Sequence, residues 1–109
     1  MLRKKKERLA VKEFCEKTRK KLGKTIKGIK LFGSKATDKD VAGSDIDLFV
    51  IVARKNRKVE ETIMDIAFHL DLKYDVYISP RVISESILRH PLWKTTHFIR
   101  EIEARGIPL

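Results

Sequence analysis

The stretch LFGSKATDKDVAGSDIDLFV, Leu31 to Val50, decides how this chain folds. Two apolar runs flank a polar segment, as two strands flank a loop. Gly33-Ser34 ends the first run. Asp45 and Asp47 open the second, just where a strand is about to enter the core. Strand side chains alternate between faces, so both carboxylates point the same way. That spacing holds them about 6 to 7 Å apart, where they repel unless a cation sits between them. Hard oxygen donors of this kind suit Mg²⁺ or Mn²⁺. If the two strands are neighbours they run antiparallel, and Gly33-Ser34 meets the acid pair at one edge of the sheet. Gly33 lets a phosphate approach the backbone, and Ser34 offers an N–H and a hydroxyl. These are the parts of a metal-dependent phosphoryl or nucleotidyl transfer site.

Outward from this stretch, the apolar spacing sets the other elements. Val11, Phe14, Cys15, Thr18 and Leu22 predict an amphipathic helix over 3–22, closed by Gly23. TIKGIKLFG (25–33) predicts the first strand. DIDLFVIV (45–52) predicts the second, apolar on both faces after Asp47 and therefore central. RKNRK (54–58) reads as a charged turn, and Val59, Ile63, Ile66, Ala67 and Leu70 mark a second helix. LKYDVYI (72–78) alternates and predicts a third strand. Ser79-Pro80 predicts an N-cap and first turn for a helix reaching Arg89. His90-Pro91 breaks that helix, and a last one is expected over 92–105, ended by Gly106 and Pro108. The order implies an α/β fold with a small mixed β-sheet flanked by helices. It is expected to form one domain over 1–109, with a basic helix at 1–22 and a core at 25–109.

A third acid would complete the site. Asp75 lies within the expected third strand and needs only to share the face of Asp47 to share a metal or act as general base. Asp71 has the same parity and competes with it from the helix-to-strand junction. Tyr77 shares the face of Asp75. His69, His90 and His97 have no partner at metal-ligand spacing.

Composition bounds the class. Hydrophobic residues are 42% of the 109, enough for a core, and charged residues are 37%. No apolar run approaches the roughly 20 residues of a membrane span, and no apolar segment of a secretion signal follows the basic start. A soluble, cytoplasmic protein without membrane contact is expected. Cys15 is the single cysteine, which excludes an intrachain disulfide. Net charge is +10, and residues 1–30 hold 13 Lys/Arg against three Glu, while the remainder balances 12 against 12. This reads as a solvated helix face. Nucleic acid is the less favoured partner, because Phe14 is the one aromatic in that stretch. Neither a Gly-x-x-x-x-Gly-Lys loop nor Gly-x-Gly-x-x-Gly occurs, which removes support for the other common nucleotide folds.

Gly33-Ser34, ten residues, Asp45-Ile46-Asp47 and a later strand Asp together resemble the nucleotidyltransferase superfamily that includes DNA polymerase β. LFGSKA, GSDIDLFV, YDVYIS and FIREIEARGIPL are similar to the minimal nucleotidyltransferases (MNT), over roughly residues 25 to 109. The chain departs from that pattern after Gly-Ser: Lys35-Ala36-Thr37-Asp38 stands where two arginines and a glycine are common. The resemblance implies a nucleotidyltransferase fold and transfer of AMP from ATP to a hydroxyl, with two Mg²⁺ ions (Mn²⁺ as substitute) and release of pyrophosphate. Asp45, Asp47 and Asp75 would hold the metals, and Asp75 would also activate the acceptor. Gly33, Ser34, Lys35 and Ser44 would bind the nucleotide. It further implies a helical HEPN-type protein as partner, with this chain as the antitoxin that adenylylates it. With so short a chain, the acceptor surface is expected on another molecule. A non-catalytic toxin-binding antitoxin and a nucleotidyltransferase acting on RNA stand as alternatives.

Overall fold

The computed structural model describes residues 4–32, 45–97, 99–100 and 105–109. Along these the order is α1 (Lys5–Leu22), a 3-10 turn (Gly23–Thr25), β1 (Ile26–Phe32), β2 (Ile46–Val52), α2 (Arg57–Tyr74), β3 (Ile78–Ser84), α3 (Glu85–Arg89), α4 (Pro91–Lys94) and β4 (Ile107–Pro108). The strands form one sheet in the order β3-β2-β1-β4. β1 is antiparallel to β2 and to β4, and β2 is parallel to β3, so the sheet is mixed. Residues 97, 99, 100 and 105 are helical. Among the described residues no helix is long and apolar enough to cross a membrane.

Apolar periodicity sets the two long helices. α1 buries Ala10, Val11, Phe14, Cys15 and Thr18, a repeat of three and four residues. Gly23 ends it at φ 50, a conformation open to glycine at little cost, and its N–H bonds the Arg19 carbonyl. α2 buries Val59, Ile63, Ile66, Ala67 and Leu70. Its start is fixed by Asn56, whose side chain accepts from the Val59 N–H at 2.9 Å.

β2 divides the molecule into two cores. Ile46, Leu48, Val50 and Val52 are at 0% exposure and join the buried faces of α1 and α2. Each such side chain contributes about 1.5–3 kcal/mol by leaving water. Phe49 points the other way, against Ile99, Phe32, Ile83 and Leu88, and meets the Phe32 ring edge-on at 5.3 Å. The alternation therefore assigns each β2 side chain to one face or the other. This puts Asp47 on the Phe49 face, away from the two long helices.

Three expected elements are displaced. The strand expected at 72–78 is the last turn of α2 followed by a short link, and β3 instead occupies Ile78–Ser84. The cause is tertiary: the Lys73 Nζ and Tyr74 hydroxyl both donate to Glu13 Oε1 on α1, which holds the extra helical turn down. The helix expected from Pro80 to Arg89 begins at Glu85. Pro80 lies within β3, which is tolerated because β3 is an edge strand with one neighbour. The tail expected to end a helix forms β4, with Lys30 opposite Pro108 and Leu31 opposite Ile107.

Candidate active site

β2 positions the acid pair. Asp45 immediately precedes the strand and is exposed; Asp47 is half-buried at its second position. Ile46 between them is driven into the core, which turns the Asp47 carboxylate to the opposite face, while Asp45 sits just ahead of the strand. The Ile46 N–H donates to the Tyr77 carbonyl at 2.7 Å, tying the entry of β2 to the residue just before β3. In register, Asp47 lies between Phe32 of β1 and Ser79 of β3.

The electrostatics favour a cation. Burial raises the Asp47 carboxyl above its ordinary range; Arg81 opposes that and the Asp45 charge adds to it. Burial also raises Asp71, where the Ile78 N–H opposes and the Asp45 charge again adds. The Asp45 charge thus reaches two other carboxyls, and each is held in a state that a nearby positive ion would relieve.

Asp75 is where the structure departs most from the sequence expectation. It is not a strand residue. It caps the C-terminus of α2 in the left-handed conformation, φ 53 and ψ 56, with its N–H bonded to the Asp71 carbonyl. Its carboxylate is fully exposed and lies 3.5 Å from Lys6 Nζ, which also donates to the Asp75 carbonyl at 2.8 Å. Asp71, the competing acid, is the one within electrostatic reach of Asp45, and its Oδ1 accepts from the Ile78 N–H at 2.8 Å. Gly33, Ser34, Lys35 and Ser44 lie outside the described residues.

The donor set suits a small hard cation. Among the described residues no three His, Cys, Asp or Glu converge closely enough to hold a metal ion. Mg²⁺ does not require such a cage: it is bound through one or two carboxylates with substrate phosphates and water completing the shell. Asp45 and Asp47 match that requirement.

The sequence reading missed Arg81. It pairs with Phe49 in the β2–β3 register and so stands on the acid-pair face. Its strand parity would have shown this, but residues 80–89 read as a helix.

The comparisons agree with the geometry. Residues 11–104 match the family model described as "Polymerase beta, Nucleotidyltransferase". A protein of Methanocaldococcus jannaschii named "Putative protein adenylyltransferase MJ0141" is 32% identical over 98 residues, covering 89% of this chain and 92% of that protein. In fold, the chain is similar to a crystal structure of the toxin–antitoxin MntA–HpeT with two aspartates changed to glutamate. The TM-score is 0.55 at 14% identity, over 86% of this chain and 68% of that one. A second MntA–HpeT structure, with a tyrosine changed to alanine, gives a TM-score of 0.51 at 18% identity, over 87% and 67%. A mixed sheet flanked by helices, an acid pair at the mouth of its central strand and a family match across nearly the whole chain agree: this chain belongs to the polymerase beta nucleotidyltransferase family.

Proposed function

We propose that the chain is a protein adenylyltransferase that moves AMP from ATP onto a hydroxyl of a HEPN-type toxin and so acts as its antitoxin. The observation that carries this is the placement of Asp45 and Asp47, two residues apart, at the entry of β2, with Asp47 opposite Phe32 at the end of β1. The relative named as a protein adenylyltransferase and the fold shared with a toxin–antitoxin protein support the acceptor and the partner.

In the reaction the acceptor oxygen bonds to the α-phosphorus and the bridging bond to the β-phosphate breaks. Pyrophosphate departs, and the hydroxyl proton passes to a carboxylate. Asp45 and Asp47 would hold Mg²⁺, which supplies charge neutralisation on the phosphates. Gly33, Ser34 and Lys35 would take the phosphates, with Ser44 beside them. Two acids compete for the proton: Asp75, from the family pattern, and Asp71, whose carboxyl burial raises and the Asp45 charge reaches.

The test is transfer of label from α-³²P-ATP in Mg²⁺ to the HEPN-type toxin. Asp45→Asn and Asp47→Asn should each lower labelling about 100-fold or more while the toxin still binds. Asp71→Asn and Asp75→Asn, run side by side, identify the base. Tight binding without label, and neutralisation that survives the Asp45/Asp47 double change, would leave a non-catalytic antitoxin. Label on RNA instead would reassign the acceptor.

A further inference from the structure

Arg81 stands beside the acid pair with no role yet assigned. It is exposed, on the edge strand β3, opposite Phe49 and one same-face step beyond Ser79, which pairs with Asp47. One such step is about 6.6 Å along the strand. Ser79 and Arg81 therefore line the acid-pair face on the β3 side, and Tyr77, 73% exposed, precedes them at the strand entry. Among the described residues Arg81 forms no ion pair within 4.0 Å, although its charge is felt at Asp47.

The two sides of β2 are not equivalent. β1 ends at Phe32, opposite Asp47, and on the proposed function the phosphates are taken by the residues that follow Phe32 in sequence. Displacement at phosphorus runs in line, with the attacking and leaving oxygens on opposite sides. On the reading of the site given above, pyrophosphate leaves towards β1 and the acceptor hydroxyl arrives over β3. Arg81 is the one basic residue of β3, and its register with Phe49 puts it on that face.

We propose that Arg81 is an acceptor-binding residue that grips a carboxylate beside the receiving hydroxyl, so that the site selects a hydroxyl residue within an acidic protein segment. A guanidinium presents two parallel N–H donors that match a carboxylate, which lysine cannot reproduce. The net charge of +10 favours the same kind of partner at long range. This rests on the adenylyltransferase reading for the direction of approach, but it can be tested without turnover.

The probes are three fluorescent peptides of equal length, each with one central Tyr flanked by Glu, Gln or Lys. Their affinity for the full chain is measured with Mg²⁺ and a non-hydrolysable ATP analogue. Wild type should bind the Glu peptide over the Lys peptide. Arg81→Ala should weaken the Glu peptide about threefold, the scale of one exposed ion pair. Arg81→Glu should shift the Glu-to-Lys preference about tenfold towards Lys. Arg81→Lys should restore only part of the preference. Arg81 is outside both buried clusters, so Arg81→Lys should melt close to wild type, while Arg81→Glu, which adds an acid near Asp47, should melt somewhat lower and is compared by its peptide ratio. No preference in wild type, or a preference that Arg81→Glu leaves within twofold, overturns the assignment. An Arg81→Glu variant that loses an RNA oligonucleotide while its peptide ratio is unchanged also overturns it, in favour of a nucleic-acid acceptor. A shifted peptide ratio without label on the toxin would sink the proposed activity and keep Arg81. Label with an unshifted ratio would do the reverse.

Discussion

Glu13 shows how much one side chain can draw from its neighbours. On the sequence it is one of three acids in a basic segment. In the fold it receives the Lys73 ammonium and the Tyr74 hydroxyl from α2, at 2.9 and 2.7 Å, and pairs with Lys17 at 3.1 Å. The Lys73 hydrogen bond, then Tyr74, then Lys17 pull its carboxyl from 4.5 down to about 2. A carboxyl lowered in the folded state stabilises it above the unfolded value, and that contribution is lost as pH falls from about 4.5 towards 2. Glu13→Gln should therefore cost about 1 kcal/mol at pH 7. The gap to wild type should close as pH approaches 2. Thermal denaturation of both proteins at pH 7, 4 and 2.5 checks this; a gap that does not change with pH would show that the charge is not what matters.

At the scale of elements, the end of α2 carries the lesson. LKYDVYI alternates well enough to read as a strand, yet the apolar repeat Ile63, Ile66, Leu70 runs on to Tyr74, and contact with α1 settles the competition for helix. Asp75 then has to adopt φ 53, a region that Asp tolerates, glycine prefers and β-branched residues avoid. Asp75→Gly should leave the melting temperature at or above wild type, even though it removes the exposed pair with Lys6. Asp75→Val should lower stability by about 1 kcal/mol. Equal melting temperatures for the two variants would mean that this cap is not strained. Because neither change touches Asp45 or Asp47, the same proteins show whether Asp75 matters to labelling apart from its effect on folding.

For the whole molecule, the acid pair is a local cost set against a distributed core. Asp47 is half-buried beside another carboxylate, so without metal it opposes folding. Asp47→Asn in metal-free buffer should melt at or above the wild-type temperature. With Mg²⁺ and ATP the order should reverse. A ligand that binds only the folded chain stabilises it by about 2.7 kcal/mol at 100 times its Kd, and the variant should lose most of that shift. Chelation should return wild type to its metal-free value. A wild-type melting temperature indifferent to Mg²⁺ and millimolar ATP would argue against a nucleotide site formed by this chain alone.

Several features followed from the amino-acid order by itself. α1 and its glycine stop, β1, β2 and the start of α2 are written in local periodicity, because each buries a regular apolar stripe. The shared face of Asp45 and Asp47 follows from strand alternation once β2 is recognised, and the Gly-Ser to Asp-x-Asp spacing pointed to the family. The tertiary structure decided what lies after Leu70. Only the contact with α1 extends α2 through Tyr74, and only the edge position of β3 admits Pro80 into a strand. β4 is two residues long, too short to leave a periodicity, and it exists because β1 offers it an edge. The company of each acid was decided the same way. The Asp45 charge acting on Asp71, the ion pair of Asp75 with Lys6 and the Arg81 charge acting on Asp47 are long-range relations, set by how elements pack and not by which residues are neighbours in the chain.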